Sequence, residues 1–264
     1  MLNLLKMDLR RLPRSMAFKV ILILLAFDLT MTSFSLSFIL NHAESAGEVT
    51  GILGLSGDHM TFGMFLRVTL GQLGDLALYP AIFIVLFTNG DFSTGFIKSV
   101  AGQVRSRGML AVSKFITTVI YTVFYFAVYL LLSMLELVIF FDGVKVTDAA
   151  QFVQYLLLIF YMYLAMLILI AAIAQIFRSN LIGIIIGIMI STGLISGILK
   201  LINTLLKKLE LDIDISKYTI TGCITSVDPT GDLSDYTRHI IVCTVYIVIA
   251  VCAAIISHNK RDIA

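Results

Sequence analysis

The interval Asp91–Lys114, DFSTGFIKSVAGQVRSRGMLAVSK, decides how the chain is read. It is polar and basic, and strongly apolar blocks flank it on both sides. Lys98, Arg105, Arg107 and Lys114 stand against a single acid, Asp91. Phe92, Phe96 and Val100 recur at i, i+4 and i+8, so a helix would gather them on one face, with Gly102 as its stop. Two readings follow. A short basic helix with large aromatics, placed where two membrane spans return to the cytoplasm, is shaped to dock into another protein. A solvated loop whose basic residues only fix topology needs the same residue types.

The flanking blocks set the class. Hydrophobic residues make up 59% of the chain and charged residues 14%, and the mean hydropathy is +0.98. Several separate apolar runs reach ~20 residues, the length that crosses a bilayer. For 264 residues one membrane domain over 1–264 is the simplest count. A net charge of +2 gives no argument for a nucleic-acid partner. Cys223, Cys243 and Cys252 form no CxxC pair and have no metal-ligand spacing, so no disulfide framework or metal site is expected.

From the N-terminus, residues 1–16 read as an interfacial helix. Leu2, Leu5 and Leu9 fall at helical spacing among Lys6, Arg10 and Arg11, and Pro13 ends or kinks it. The apolar run that follows is longer than a signal-peptide core and lacks a small-residue cleavage site. Six spans are predicted, at about 17–40, 69–89, 115–141, 151–177, 181–203 and 238–257. Polar loops fill 41–68 and 204–237, the latter with the turn signal Asp228-Pro229-Thr230-Gly231. Only Arg178, Ser179 and Asn180 separate spans four and five. Basic residues near span ends favour the side that holds residues 1–19, the Asp91–Lys114 interval, Arg178 and Lys260-Arg261. That side is expected to be cytoplasmic, with both termini on it and the 41–68 and 204–237 loops outside.

The spacing Asp91, Gly95, Arg107, Lys114 resembles the loop after the second span of ABC-2 type transporter permeases. Those loops run from an acid to a Gly four residues on, then to an Arg, then to a Lys that opens the next span. Asp stands here for the commoner Glu, Phe96 for a usual Thr, and no Pro precedes Arg107. The ending Lys260-Arg261-Asp262 is also similar to that family. The resemblance implies an all-α permease with six transmembrane helices and a cytoplasmic coupling helix at 91–107 between spans two and three. By the same resemblance Asp91, Phe92, Gly95, Phe96, Lys98, Ser99, Arg105, Arg107 and Lys114 would meet an ABC ATPase subunit. Two ATPase copies, carrying the ATP and Mg, would serve a pair of permeases in a bacterial plasma membrane. Compact permeases of this size resemble exporters of amphipathic peptides, of the phenol-soluble-modulin or lantibiotic-immunity type.

The chain has no G-x-x-x-x-G-K-[ST], so it is not expected to bind ATP itself, and it has neither H-E-x-x-H nor G-x-S-x-G. Its four histidines, His42, His59, His239 and His258, are scattered. Asp28, Asp75 and Glu136 fall in or beside apolar spans. An acid at a span centre costs ~2.5–3.5 kcal/mol, so each should face protein or water. They would either line a pathway for a cationic solute or, for Asp75 and Glu136, sit at headgroup level. Gly183, Gly187 and Ser191, with Gly193 and Gly197, form small-residue ridges that allow close helix approach. These serve a dimer or gate contact, or equally packing within one subunit. Phe and Tyr residues of spans three and four (Tyr121, Phe124, Tyr125, Phe126, Tyr129, Phe160, Tyr161, Tyr163) are expected to pack and to meet lipid. Rival functions are an ABC exporter of drugs or lipid-like solutes, an ion-coupled carrier using Asp28 and Glu136, and an intramembrane enzyme.

Overall fold

Among the described residues four helices are long and apolar enough to cross a membrane: Met16–Ile39, Gly108–Phe140, Ala149–Phe177 and Thr237–Lys260. The computed structural model describes residues 2–42, 61–72, 77–93, 108–141, 148–208, 215–229, 231 and 236–260. Among the described residues all regular structure is helical. In order come α1 (Leu2–Arg11), α2 (Met16–His42), α3 (Phe62–Leu66), a π-helical turn (Arg67–Gln72), α4 (Leu78–Ser93), α5 (Gly108–Phe140) and α6 (Ala149–Phe177). After these come α7 (Asn180–Ser191), α8 (Leu194–Lys208), a 3-10 turn (Ile215–Tyr218), α9 (Ile220–Ser226) and α10 (Thr237–Lys260).

Helix α6 is the axis. Of its most apolar window 61% is buried inside the chain, against 28% in α2, 28% in α5 and 17% in α10. It packs against α10, α4, α5, α7 and α9. Small residues let neighbours approach it: Ala165, Ala171, Ala172 and Ala174 are all fully or nearly fully buried. The Asp148 carboxylate caps its start by accepting from the Ala150 amide at 2.9 Å. It stops at Arg178, whose φ of 53° is left-handed and whose amide donates to the Ala174 carbonyl.

The other helices present a broad apolar outer face, including Ile23, Phe27, Phe34, Leu135, Ile139, Leu181 and Ile249. Water would penalise so much exposed hydrocarbon, whereas lipid does not. These helices mark a multi-pass membrane protein. Tyrosines do the opposite. Tyr121, Tyr125 and Tyr129 share one face of α5 and are buried with Tyr155 and Tyr163 of α6. The Tyr121 ring lies 4.5 Å from Phe83 of α4, and Phe83 lies 5.8 Å from Phe18 of α2. In α5 the tyrosines thus pack inward, while Phe124 is 44% exposed.

Four segments differ from the sequence expectation. The predicted span 69–89 is a 16-residue helix, α4, preceded by the π turn. At 1.5 Å per residue α4 is about 24 Å long, short of the ~30 Å hydrocarbon core. The π turn leaves the Leu70 carbonyl to accept from the Tyr163 hydroxyl at 2.6 Å. The expected outer loop 41–68 ends instead in the buried helix α3, started by Thr61, whose side chain accepts from the Met64 amide. Phe62 packs on Phe152 at 5.0 Å, and Phe65 on Phe141 at 6.0 Å. Much of the described part of 204–237 is likewise helical, through α8, the 3-10 turn and α9.

The predicted span 181–203 is broken. Helices α7 and α8 meet at 58°. Gly193 has φ 71°, which an L side chain adopts at a cost. Ser191 and Thr192 hydroxyls fold back on the Gly187 and Ile188 carbonyls at 2.8 Å, and the Gly193 carbonyl accepts the first bond of α8 from Gly197. Six spans are therefore not shown. Among the described residues the count is four, or five if the bent pair is one span. Gly193→Ala is expected to lower stability by about 1–2 kcal/mol in thermal unfolding of the purified protein. An unchanged melting temperature would mean that the bend tolerates a side chain.

Candidate functional site

Charge converges at one end of the bundle. Asp8 sits on α1 four residues after Leu4, which is half-buried, and Asp8 and Leu12, in the turn that follows the helix, are both buried. Leu5 and Leu9 of the expected interfacial helix are half-buried. Asp91 lies in the last turn of α4, where the helix dipole disfavours an anion. Lys114 lies in the second turn of α5.

These three elements are joined by a run of ion pairs. The Lys114 ammonium is 2.9 Å from Asp8 Oδ1 and 2.5 Å from Asp91 Oδ2. Arg11 Nη1 is 2.6 Å from Asp91 Oδ1. The Ser113 hydroxyl donates to Asp8 Oδ2 at 3.1 Å, and Lys114 also lies 4.7 Å above the Phe87 ring. Side-chain exposures of 11% for Lys114, 3% for Asp8 and 8% for Asp91 place the core of this network out of water. There an ionised group is tolerated only with its partners in place. Arg11, 43% exposed, forms the outer end.

The same end collects the other chain reversals. The Arg178 guanidinium lies 5.1 Å above the Phe92 ring, and Phe92 lies 5.8 Å from His258 of α10. The Gly108 amide donates to Asn259 Oδ1 at 3.0 Å, and a Cβ there would meet Asn259 and Ile255 at 3.2 Å. Glycine thus lets the start of α5 touch the end of α10. Beneath the network is a cavity of about 20 Å³, lined by Asp91, Lys114, Gln175 and His258 among others, the size of one water. Neither the Gln175 amide nor the His258 ring has a hydrogen-bond partner among the described residues.

Of the expected coupling residues the structure brings Asp91, Phe92 and Lys114 together. Gly95, Phe96, Lys98, Ser99, Arg105 and Arg107 lie outside the described residues, as does Asp75. Asp28 is half-buried on α2. Glu136 is 7% exposed and its Oε1 lies 2.8 Å from the Thr30 hydroxyl of α2, so it faces a neighbouring helix. Gly183 and Gly187 face this chain's own α4 and α6: Cβ atoms there would lie 2.6 Å from Val85 and 3.5 Å from Ile170. Ser191 is buried, Gly193 makes the bend, and a Cβ on Gly197 would meet nothing within 4 Å. Asp8 is the residue that the sequence reading passed over.

The opposite end has its own ties. Arg67 pairs with Asp228 at 2.6 Å, and the Ser226 hydroxyl lies 2.8 Å from His239 Nε2. Burial pushes the Cys223 thiol up to about 11, which keeps it protonated and unreactive. Among the described residues no group of His, Cys, Asp and Glu could hold a metal ion. No family model and no curated protein matches this chain.

Proposed function

We propose that the chain is the permease subunit of an ATP-driven ABC exporter of amphipathic peptides. In this reading two permeases sit on two ATPase subunits in a bacterial plasma membrane, with both termini cytoplasmic. One observation carries it: Asp91 and Lys114, the first and last residues of the basic interval, are clamped at 2.5 Å. The interval is thereby closed at its base and tied through Asp8 to α1. A push on such a loop would reach α4 and α5 together, as a coupling element requires. The chain ends that gather around it are those that the basic residues assign to one side.

A second reading, an ion-coupled carrier, is favoured by the broken α7–α8 pair, because carriers build ion sites at discontinuous helices. A buried acid, Glu136, would be its ion ligand.

A photo-cross-linker at Ser99, in cells that also produce a candidate ATPase, separates the two. It is expected to capture the ATPase. Phe96→Glu, which would bury an unpaired charge at that contact, should abolish transport while the protein still inserts. Capture only from a position in 204–237 would reverse the orientation. Transport that follows an ion gradient without any ATPase would establish the carrier.

A further inference from the structure

Helix α1 turns its second face outward. Lys6 and Arg10 are exposed on it, four residues apart, and Arg14 is exposed in the turn that follows. They make no ion pair with other described residues. With Met7, Arg11 and Ser15 they line an open groove of about 670 Å³. Ser15 is the last residue that lines the groove, and α2 begins at the next, with Lys19 exposed on its first turn. Met16, Val20 and Ile23, at i, i+4 and i+7 on α2, are 76%, 52% and 68% exposed. A basic groove abutting an apolar stripe matches a molecule with an anionic head and a hydrocarbon tail.

We infer that this groove binds the headgroup phosphate of an anionic phospholipid, with an acyl chain along Met16, Val20 and Ile23. Lys6, Arg10 and Arg14 supply the cations, and α1 is held in place to present them because Asp8 on its inner face is locked by Lys114 and Ser113. Charge selects the headgroup, since each cation near an anionic surface adds about fivefold to binding. The apolar stripe selects a lipid over a free phosphate. The inference needs only a membrane protein and is independent of the transport reading.

The chain has no tryptophan, so one introduced residue is an unambiguous reporter. Met7→Trp places it in the groove. The full-length variant is reconstituted in phosphatidylcholine carrying a small, equal fraction of either brominated phosphatidylglycerol or brominated phosphatidylcholine. Quenching by the anionic lipid is expected to exceed that by the neutral lipid several-fold. Lys6→Gln combined with Arg14→Gln, both exposed and making none of the ion pairs of the network, should bring the two lipids level while helix content is unchanged. Equal quenching by both lipids in the Met7→Trp protein would overturn the site. Loss of the preference on adding millimolar inorganic phosphate would also overturn it, and would show an unselective anion groove.

Discussion

Lys114→Met is expected to be among the most damaging single substitutions in this chain, lowering stability by about 3–5 kcal/mol. The replacement keeps the length and apolar stem of the side chain but removes the cation shared by two buried carboxylates. Asp91 would retain Arg11. Asp8 would keep only the Ser113 hydroxyl of its two described partners. Removing one partner of a buried pair costs more than removing both, because the remaining charge is stranded. Adding Asp8→Asn to Lys114→Met should therefore recover part of the loss. The measurement is thermal unfolding of the detergent-solubilised protein. A Lys114→Met protein that melts with the wild type would mean that this network carries no stability.

Gly183→Ala should destabilise by about 1–3 kcal/mol, whereas Gly187→Ala, four residues away on the same ridge, should be close to neutral. The difference is geometric. A Cβ at Gly183 would lie 2.6 Å from Val85 Cγ1, and Val85 is fully buried with a branched, stiff side chain. At Gly187 the nearest atoms are Ile170 Cγ2 at 3.5 Å and Ala81 Cβ at 3.9 Å, ordinary contacts that a methyl can join. Adding Val85→Ala should rescue Gly183→Ala by opening the space. If both alanines melt alike, the ridge is not what sets the distance between α4 and α7. A role for the exposed side of α7 in subunit association is read separately, from cross-linking between copies.

The apolar helices α2, α5, α6 and α10 were legible in the sequence because hydrocarbon run length is a local property. So was the reversal at Arg178-Ser179-Asn180, where polar residues interrupt two apolar runs. The break at Gly193 was visible but was read otherwise. Small residues four apart signal both close packing and a helix stop, and only the φ of 71° decides. The polar composition of 41–68 concealed the short apolar run that forms α3. At the candidate site the sequence pointed to Asp91 and Lys114. Asp8 escaped because a lone acid in a basic interfacial helix carries no local signal of burial, and because its partner lies 106 positions away. No rule of local spacing reaches that far.

That separation also orders the assembly of the chain. Asp8 is synthesised before any of the described groups that neutralise it. Arg11 and Asp91 are 80 positions apart, and Asp8 and Lys114 are 106 apart. At ribosomal rates the first helix waits roughly 5–20 s for its lysine. Until then its carboxylate must stay in contact with water, so α1 cannot settle against the bundle. Docking of the N-terminus is therefore deferred until α5 has been inserted. A ribosome stalled short of Lys114 would leave a membrane-bound chain whose leading segment is still loose, a difference that a quality-control protease could read.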